Sequence, residues 1–317
     1  MTQPPSPALE AAWTAALDAP AKDQRPWRVL SDMLLAERDE RGELLRLELD
    51  AELGPLKGLA KGRLRQLRAS LRPRLVPADA GVVQLRLWRT VPIEVSLVVH
   101  ECTQPRDLRW RTVRRLRFSI HEGVDGAEPW RQTPIVGDQL ERVERLENVA
   151  EEALPLLLWA RPMTKLVHLG IFNADGRPAG TPHLATELLW TSLCARHPSL
   201  TELSVGAERT FERAVTRLDT LLTVPLKRVL LPVPIDVVPR LETWRRQRRA
   251  PFVLGARLSQ RETGAVLDLR DGALRLSGPA NAVEAARLGL RSAWPGHPPL
   301  SVVVEPETTG PFTFEPD

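Results

Sequence analysis

The sequence predicts an α/β chain in three parts: a helical N-terminal module, a middle segment of repeated strand–loop–helix units, and a small C-terminal α+β cap. Three observations predict it. Apolar residues recur at helical spacing over residues 1–76. A strand motif of the type L-x-x-L-x-L recurs beyond residue 80. Short alternating runs with an Asp-Gly turn follow residue 251.

The helical part reads as four segments: Pro7 to Leu17, Trp27 to Glu37, Glu40 to Leu53 and Leu56 to Leu71. In the second, Leu30, Met33 and Leu34 share a side. In the third, Leu44, Leu45 and Leu47 repeat that face. The stretch Glu37-Arg38-Asp39-Glu40-Arg41-Gly42-Glu43 between them is too polar for a core. Asp39 is placed to cap the third helix, and Glu40 and Glu43 suit the positive end of its dipole. In the fourth, Leu56, Leu59, Leu64, Leu67 and Leu71 face one way, and Lys61, Arg65, Arg68 and Arg72 form a basic stripe opposite. Arg72-Pro73-Arg74 and Pro77 end the region, so the module is set at residues 1–76.

The segment Val29 to Glu48, VLSDMLLAERDERGELLRLE, resembles the bacterial repeat-companion domain. The usual pattern of that domain reads approximately V-Y-A-D-W-L-E-E-R-G-D-P-R-G-E-F-I-R-L-Q. Val29, Asp32, Leu34, Asp39, Arg41, Gly42, Glu43, Arg46 and Leu47 match it without a gap. Leu30 and Met33 stand where the pattern has an aromatic pair, and Arg38 stands where it has a glycine. The resemblance implies an architecture and no reaction, because such modules accompany leucine-rich-repeat-like segments and carry no catalytic residues.

The middle segment, residues 77–250, carries that motif. Val82-Leu85-Leu87, Val113-Leu116-Phe118, Leu166-Leu169-Ile171, Leu200-Leu203-Val205 and Leu226-Val229-Leu231 are copies, and Val143-Leu146 is a degenerate one. This is the strand signature of leucine-rich repeats, although several intervals exceed the roughly 20–29 residues of a regular repeat. Helical patterns lie between the copies, at Val149 to Trp159, Pro182 to Arg196 and Thr210 to Leu222. The expectation is an irregular leucine-rich-repeat-like solenoid, in which each unit buries its strand and helix only by stacking on neighbours.

The C-terminal part, residues 251–317, reads as strands at Phe252 to Leu258, Ala265 to Leu269 and Ala273 to Leu276. Arg270-Asp271-Gly272 forms a hairpin turn, Asn281 to Ser292 a helix and Leu300 to Val304 a last strand. A small α+β cap covering the last repeat is the expectation.

The chain has 317 residues, 26% charged and 43% hydrophobic, which allows a sizeable core. Cys102 and Cys194 are the two cysteines, which excludes a disulfide framework and a four-cysteine zinc site. A run of about 18 apolar residues is absent, so no membrane span is expected, and the N-terminus lacks the order of a signal peptide. The expected compartment is the cytosol. Tyrosine is absent and most of the cations are arginine. The net charge of +4 permits an acidic partner without demanding one.

No phosphate loop, nucleophile elbow or HExxH helix is present. His100-Glu101-Cys102 reads as the end of a strand, not a metal site, and Cys194 reads as core. No catalytic residue, metal or cofactor is expected, and the chain is read as non-catalytic. The outward positions of the strand motif would line a binding surface: Arg86, Trp88, Arg115, Arg117, Arg145, His168, Phe172, Glu202 and Arg228. Tryptophan and arginine are enriched at protein–protein hot spots. The sequence therefore predicts a protein-binding scaffold. Its alternative is an accessory nucleic-acid-binding protein using Trp244, Arg245, Arg246, Arg248 and Arg249, since arginine beside tryptophan can hold phosphate and stack on bases.

Overall fold

The structure is a computed structural model. It describes residues 6–20, 22–75, 82–89, 91–99, 108–119, 129–133, 135, 140–172, 186–206, 211–258, 264–304 and 313–314. The expected features at Pro77, His100 and Cys102, and the expected Pro182 to Arg196 helix as far as Ala185, lie outside those residues.

Four helices open the chain: α1 (Pro7–Asp18), α2 (Arg25–Ala36), α3 (Glu40–Leu53) and α4 (Gly58–Leu75). Local chemistry sets their ends. Ser6 caps α1 by accepting from the Leu9 amide, and Pro7 occupies its first turn. Asp39 caps α3 by accepting from the Arg41 amide at 2.9 Å. Helix α2 stops in a Schellman turn. The Asp39 amide donates to the Leu34 carbonyl and the Arg38 amide to that of Leu35, with Arg38 left-handed at φ 58. The companion pattern has its glycine at this position, the residue that adopts such a φ without strain.

Helices α2 and α3 cross at Gly42. A Cβ there would meet the Ser31 carbonyl and the Leu35 amide nitrogen at 2.7 Å each. The Ser31 hydroxyl donates to the Gly42 carbonyl at 2.8 Å across the same crossing. Leu30, Leu34, Leu45 and Leu49 are fully buried around it, with Trp27.

Twelve strands follow among the described residues, and all belong to one sheet. They are β1 (Val82–Trp88), β2 (Val91–Val98), β3 (Arg115–Ser119), β4 (Arg145–Ala150), β5 (His168–Phe172), β6 (Glu202–Ser204), β7 (Arg228–Pro232), β8 (Val253–Arg257), β9 (Val266–Arg270), β10 (Ala273–Gly278), β11 (Leu300–Val304) and β12 (Thr313–Phe314). The order is β11-β10-β9-β8-β7-β6-β5-β4-β3-β2-β1-β12. Strands β2 to β8 pair in parallel. At one end β1 runs antiparallel to both β2 and β12. At the other, β8, β9 and β10 alternate direction and β11 returns parallel to β10.

Helices α5 (Leu154–Trp159), α6 (Glu187–Arg196), α7 (Phe211–Asp219), α8 (Val238–Arg248) and α9 (Ala280–Ala293) lie between successive strands. They share one buried layer with the strands. Leu157, Leu193, Leu218, Leu241 and Leu290 from the helices join Leu146, Leu169, Leu203, Val229, Leu254 and Leu274 from the strands in one apolar cluster. No helix among the described residues is long and apolar enough to cross a membrane.

This architecture corrects the repeat-solenoid expectation. The α/β class holds, but the molecule is one mixed, open sheet and not a stack of leucine-rich repeats with a separate cap. The Val82 motif, expected as a parallel first repeat, is one arm of an antiparallel hairpin. Its partner β2 had no counterpart in the repeat pattern. The expected cap strands β8 to β11 continue the same sheet without a break, because Arg228 to Pro232 pairs with Val253 to Arg257 along its whole length. The Asp271-Gly272 hairpin lies where expected, with Gly272 at φ 69.

Candidate functional site

Alternation along the strands sends leucine and valine into the helix-covered layer and leaves the polar residues on the other face. Register aligns them. Arg86, Glu94, Arg115, Arg145, His168, Glu202 and Arg228 are successive cross-strand neighbours from β1 to β7. A second row holds Ser96 beside Arg117 and Arg117 beside Glu147, then Gly170, Ser204, Leu230, Gly255 and Asp268. Arg257, at the end of β8, shares the side of Val253 and Gly255 and so faces this polar surface.

The charges on this face are unevenly matched. Arg86 pairs with Glu94 at 2.8 Å. Glu147 serves two cations, Arg115 at 2.9 Å and Arg145 at 3.3 Å. Burial works to raise the pKa of Glu147, but the charge and hydrogen bond of Arg115 and the charge of Arg145 prevail and hold it below the ordinary value. Asp268 takes Arg228 at 2.7 Å. His168 is buried, with Nδ1 3.4 Å from Glu202 Oε2 but not aligned for a hydrogen bond. Burial pushes its pKa down against the pull of Glu202, so the ring is neutral near pH 7.

The Nε atoms of Arg86, Arg228 and Arg257 are shielded from solvent and have no hydrogen-bond partner among the described residues. Arg86 and Arg228 also make ion pairs through their terminal nitrogens. Burial is the largest influence on the pKa of Arg257 and lowers it. Glu147 opposes that, while Arg145, Arg115 and Arg228 add to it. Arg117 has the same signature: burial first, then Glu147 opposing, then repulsion from Arg115 and Arg257. Arg117 on β3 and Arg257 on β8 therefore lie within electrostatic reach of each other. Five strand spacings of ~4.8 Å separate these strands in a flat sheet. The row between them holds Glu147, Gly170, Ser204, Leu230 and Gly255. Leu230 is buried, yet it lies outside the apolar cluster that holds Val229 and Leu231.

These positions correct the scaffold expectation. Arg86, Arg115, Arg145 and Arg228 are ion-paired within the chain, and His168 is buried, so they do not present free anchors to a protein partner. Trp88 turns to the helical module. It packs edge-on against Trp27 at 5.1 Å, with the Arg89 guanidinium 4.3 Å from its ring centre. Phe172 ends β5, half-buried beside Ala150. Glu202 lies between His168 and Arg228.

The nucleic-acid alternative is corrected on the same ground. Trp244 is buried in the core. Arg245 is buried and pairs with Glu242 at 2.8 Å and Asp271 at 2.9 Å. Arg246 pairs with Glu242 at 2.6 Å and Arg248 with Asp219 at 3.3 Å. Arg249 is the left-handed cap of α8, at φ 51. These arginines close the end of a helix. They do not form an open basic patch with a stacking platform.

Cys194 is buried, and burial pushes its thiol up to about 11, so it is not a nucleophile at neutral pH. Among the described residues no group of three or more His, Cys, Asp or Glu side chains could hold a metal ion. Arg257 escaped the sequence reading because a lone arginine ending a strand carries no motif. Only the register shows which face it joins.

No family model and no curated protein matches this sequence. Among solved structures, an imine reductase from Myxococcus stipitatus in complex with NADP+ is similar at 20% identity, with a TM-score of 0.19. The likeness spans 44% of this chain and 46% of that one, less than half the length of the reductase. It carries no inference here about reaction or cofactor.

Proposed function

We propose that this protein binds a small anionic ligand, phosphate- or carboxylate-bearing, on the polar face of its sheet between β3 and β8. Arg257 carries the reading: a guanidinium with a solvent-shielded, unpartnered Nε, held among further arginines. Its shielded Nε is a donor with no acceptor among the described residues, and the nearby Glu147 already serves Arg115 and Arg145, so a ligand anion supplies what is missing. Arginine suits the task, since its planar fork holds carboxylate or phosphate through two parallel bonds. The half-buried setting of Arg115, Arg117, Arg228 and Arg257 favours a compact ligand over an extended surface.

Calorimetric titration of the full chain with pyrophosphate and with citrate tests this at low salt. The expected result is saturable binding that weakens at least about tenfold in Arg257→Ala. Absence of binding by both anions would overturn the reading. Phosphorus and proton NMR of the same mixtures after long incubation show whether a bound compound is also turned over.

We also propose that α2 and α3 form a repeat-companion module. The Asp32–Arg46 hydrogen bond, the Asp39–Arg41 pair at 2.6 Å and the left-handed Arg38 at the position of the pattern's glycine support it.

A further inference from the structure

Helix α5 has six residues, too few to hold its shape without tertiary support. Its last carbonyls have no partner inside the helix. One of them is met from the next unit of the fold. His197 follows Arg196, the last residue of α6, and is wholly buried. Its Nε2 lies 3.1 Å from the Leu157 carbonyl oxygen, and the Met163 amide nitrogen lies 3.1 Å from its Nδ1. A carbonyl only accepts and an amide N–H only donates. These partners therefore fix a neutral ring with its proton on Nε2. Beside it Arg196 donates twice to the Ala160 carbonyl, and Ser199 donates to that of Thr164. Three side chains of the α6–β6 connection thus hold the α5–β5 connection. Of the three, only histidine changes charge near neutral pH.

A second proton on the ring would sit on Nδ1 and point at the Met163 N–H, donor against donor. Burial works most strongly against the cation, and Arg196 adds its charge. Together they outweigh the Leu157 carbonyl and hold the pKa of His197 below its ordinary value. The surrounding groups are engaged elsewhere. Helix α5 has no titratable side chain. Glu151 and Glu152 precede it, Glu151 against Arg217. Arg161 and Lys165 in the connection meet Glu141 and Asp18. On α6, Glu187 stands in the first turn and the Cys194 thiol is neutral. His168 and Glu202 lie side by side on the polar face of β5 and β6.

We propose that His197 is an acid-sensitive latch: protonation of its ring breaks the Met163 hydrogen bond and frees the 160–166 connection from α6. Both connections lead directly into β5 and β6, so the opening starts at the middle of the sheet. The contribution of His197 to stability is present above its ordinary value of 6.5 and is lost as pH falls towards the lower folded pKa. Neither the latch nor its test requires a bound anion.

Long-range proton–nitrogen NMR of the isotope-labelled full chain reads the tautomer and the titration of His197 directly. The expected spectrum shows a bare Nδ1, a protonated Nε2 and a midpoint below 6.5. Hydrogen exchange read by mass spectrometry, corrected for the intrinsic effect of pH, follows the opening. Amides of 160–166 should open roughly tenfold more often at about pH 5.5 than at about pH 7.5. Those of β8, Val253–Arg257, should not change. His197→Gln keeps a donor and an acceptor without the titration and should abolish the acid response. His197→Phe keeps the bulk without either bond and should show the open connection at both pH values. Circular dichroism establishes that each variant is folded, and if neither folds the unsubstituted chain still decides. A proton on Nδ1, a midpoint at or above 6.5, or exchange in 160–166 that ignores pH would overturn the latch. So would an acid response retained in His197→Gln.

Discussion

The helical module and the polar face of the sheet are both rich in arginine, yet they treat it in opposite ways. In the module, Arg28 meets Asp50, Arg46 meets Asp32, Arg63 meets Glu43 and Arg68 meets Glu48, mostly across helix pairs. Each cation has its own carboxylate, and most of these pairs are well exposed. On the sheet, one glutamate serves two arginines, and Arg257 carries an unpartnered buried nitrogen. Arginine abundance is thus no guide to function. Local imbalance between buried cations and their carboxylates is, because a fold gains nothing by keeping a charge unpaired.

Four substitutions test that contrast, from the largest expected effect to the smallest. Gly42→Ala places a methyl at 2.7 Å from backbone atoms of α2, which cannot move aside. Chemical denaturation should show a loss of about 3 kcal/mol, reflecting packing alone, with anion binding by the folded protein unchanged. Glu147→Gln removes the shared counter-ion of the sheet and should cost about 2 kcal/mol at neutral pH. Its sign with pH is fixed. The folded-state pKa of Glu147 lies below its ordinary value of 4.5, so its contribution is present above that value. It is lost as pH falls through the lower folded pKa. Denaturation midpoints measured down the acid limb should therefore fall less steeply in the variant.

Arg257→Leu has the opposite sign. Without ligand it should stabilise the protein by about 1 kcal/mol while abolishing pyrophosphate binding. A loss of stability comparable to Glu147→Gln would erase the distinction between the two regions' use of arginine. Arg38→Gly should add about 0.5 kcal/mol by relieving a left-handed non-glycine residue. A midpoint unchanged or lowered in that variant would mean that the Arg38 side chain stabilises the turn by more than its backbone strain costs.

The sequence made the helices legible because each carries its own stop signals. The expected Glu40 to Leu53 is the observed α3, and α1 ends one residue beyond Leu17. The strands centred on Leu116, Leu169, Leu203 and Val229 were legible from one short apolar motif. Strand β2 was missed because Val91–Val98 has its own irregular pattern and follows a tight turn with Arg89 at φ 48. A reading that allowed one strand per repeat left no room for it. Alternation separates the two faces of each strand, but it is blind to what lies across the sheet. Whether Arg115 is exposed or paired depends on Glu147, 32 positions later in the chain. Trp88 illustrates the same gap. As an outward aromatic it resembled a binding anchor, but the helical module supplies its neighbour, Trp27.

The two ends of the sheet finish differently, and this bears on handling the protein. At one end β1 is covered by β12. At the other, among the described residues β11 pairs only with β10, and Val302, Val303 and Val304 are all partly exposed on a strand that carries no charged residue. Bare edges of this composition recruit further strands from solution. Colloidal behaviour should therefore be governed by five residues out of 317, and light scattering of concentrated samples should respond to Val303→Lys more than to any change in net charge elsewhere.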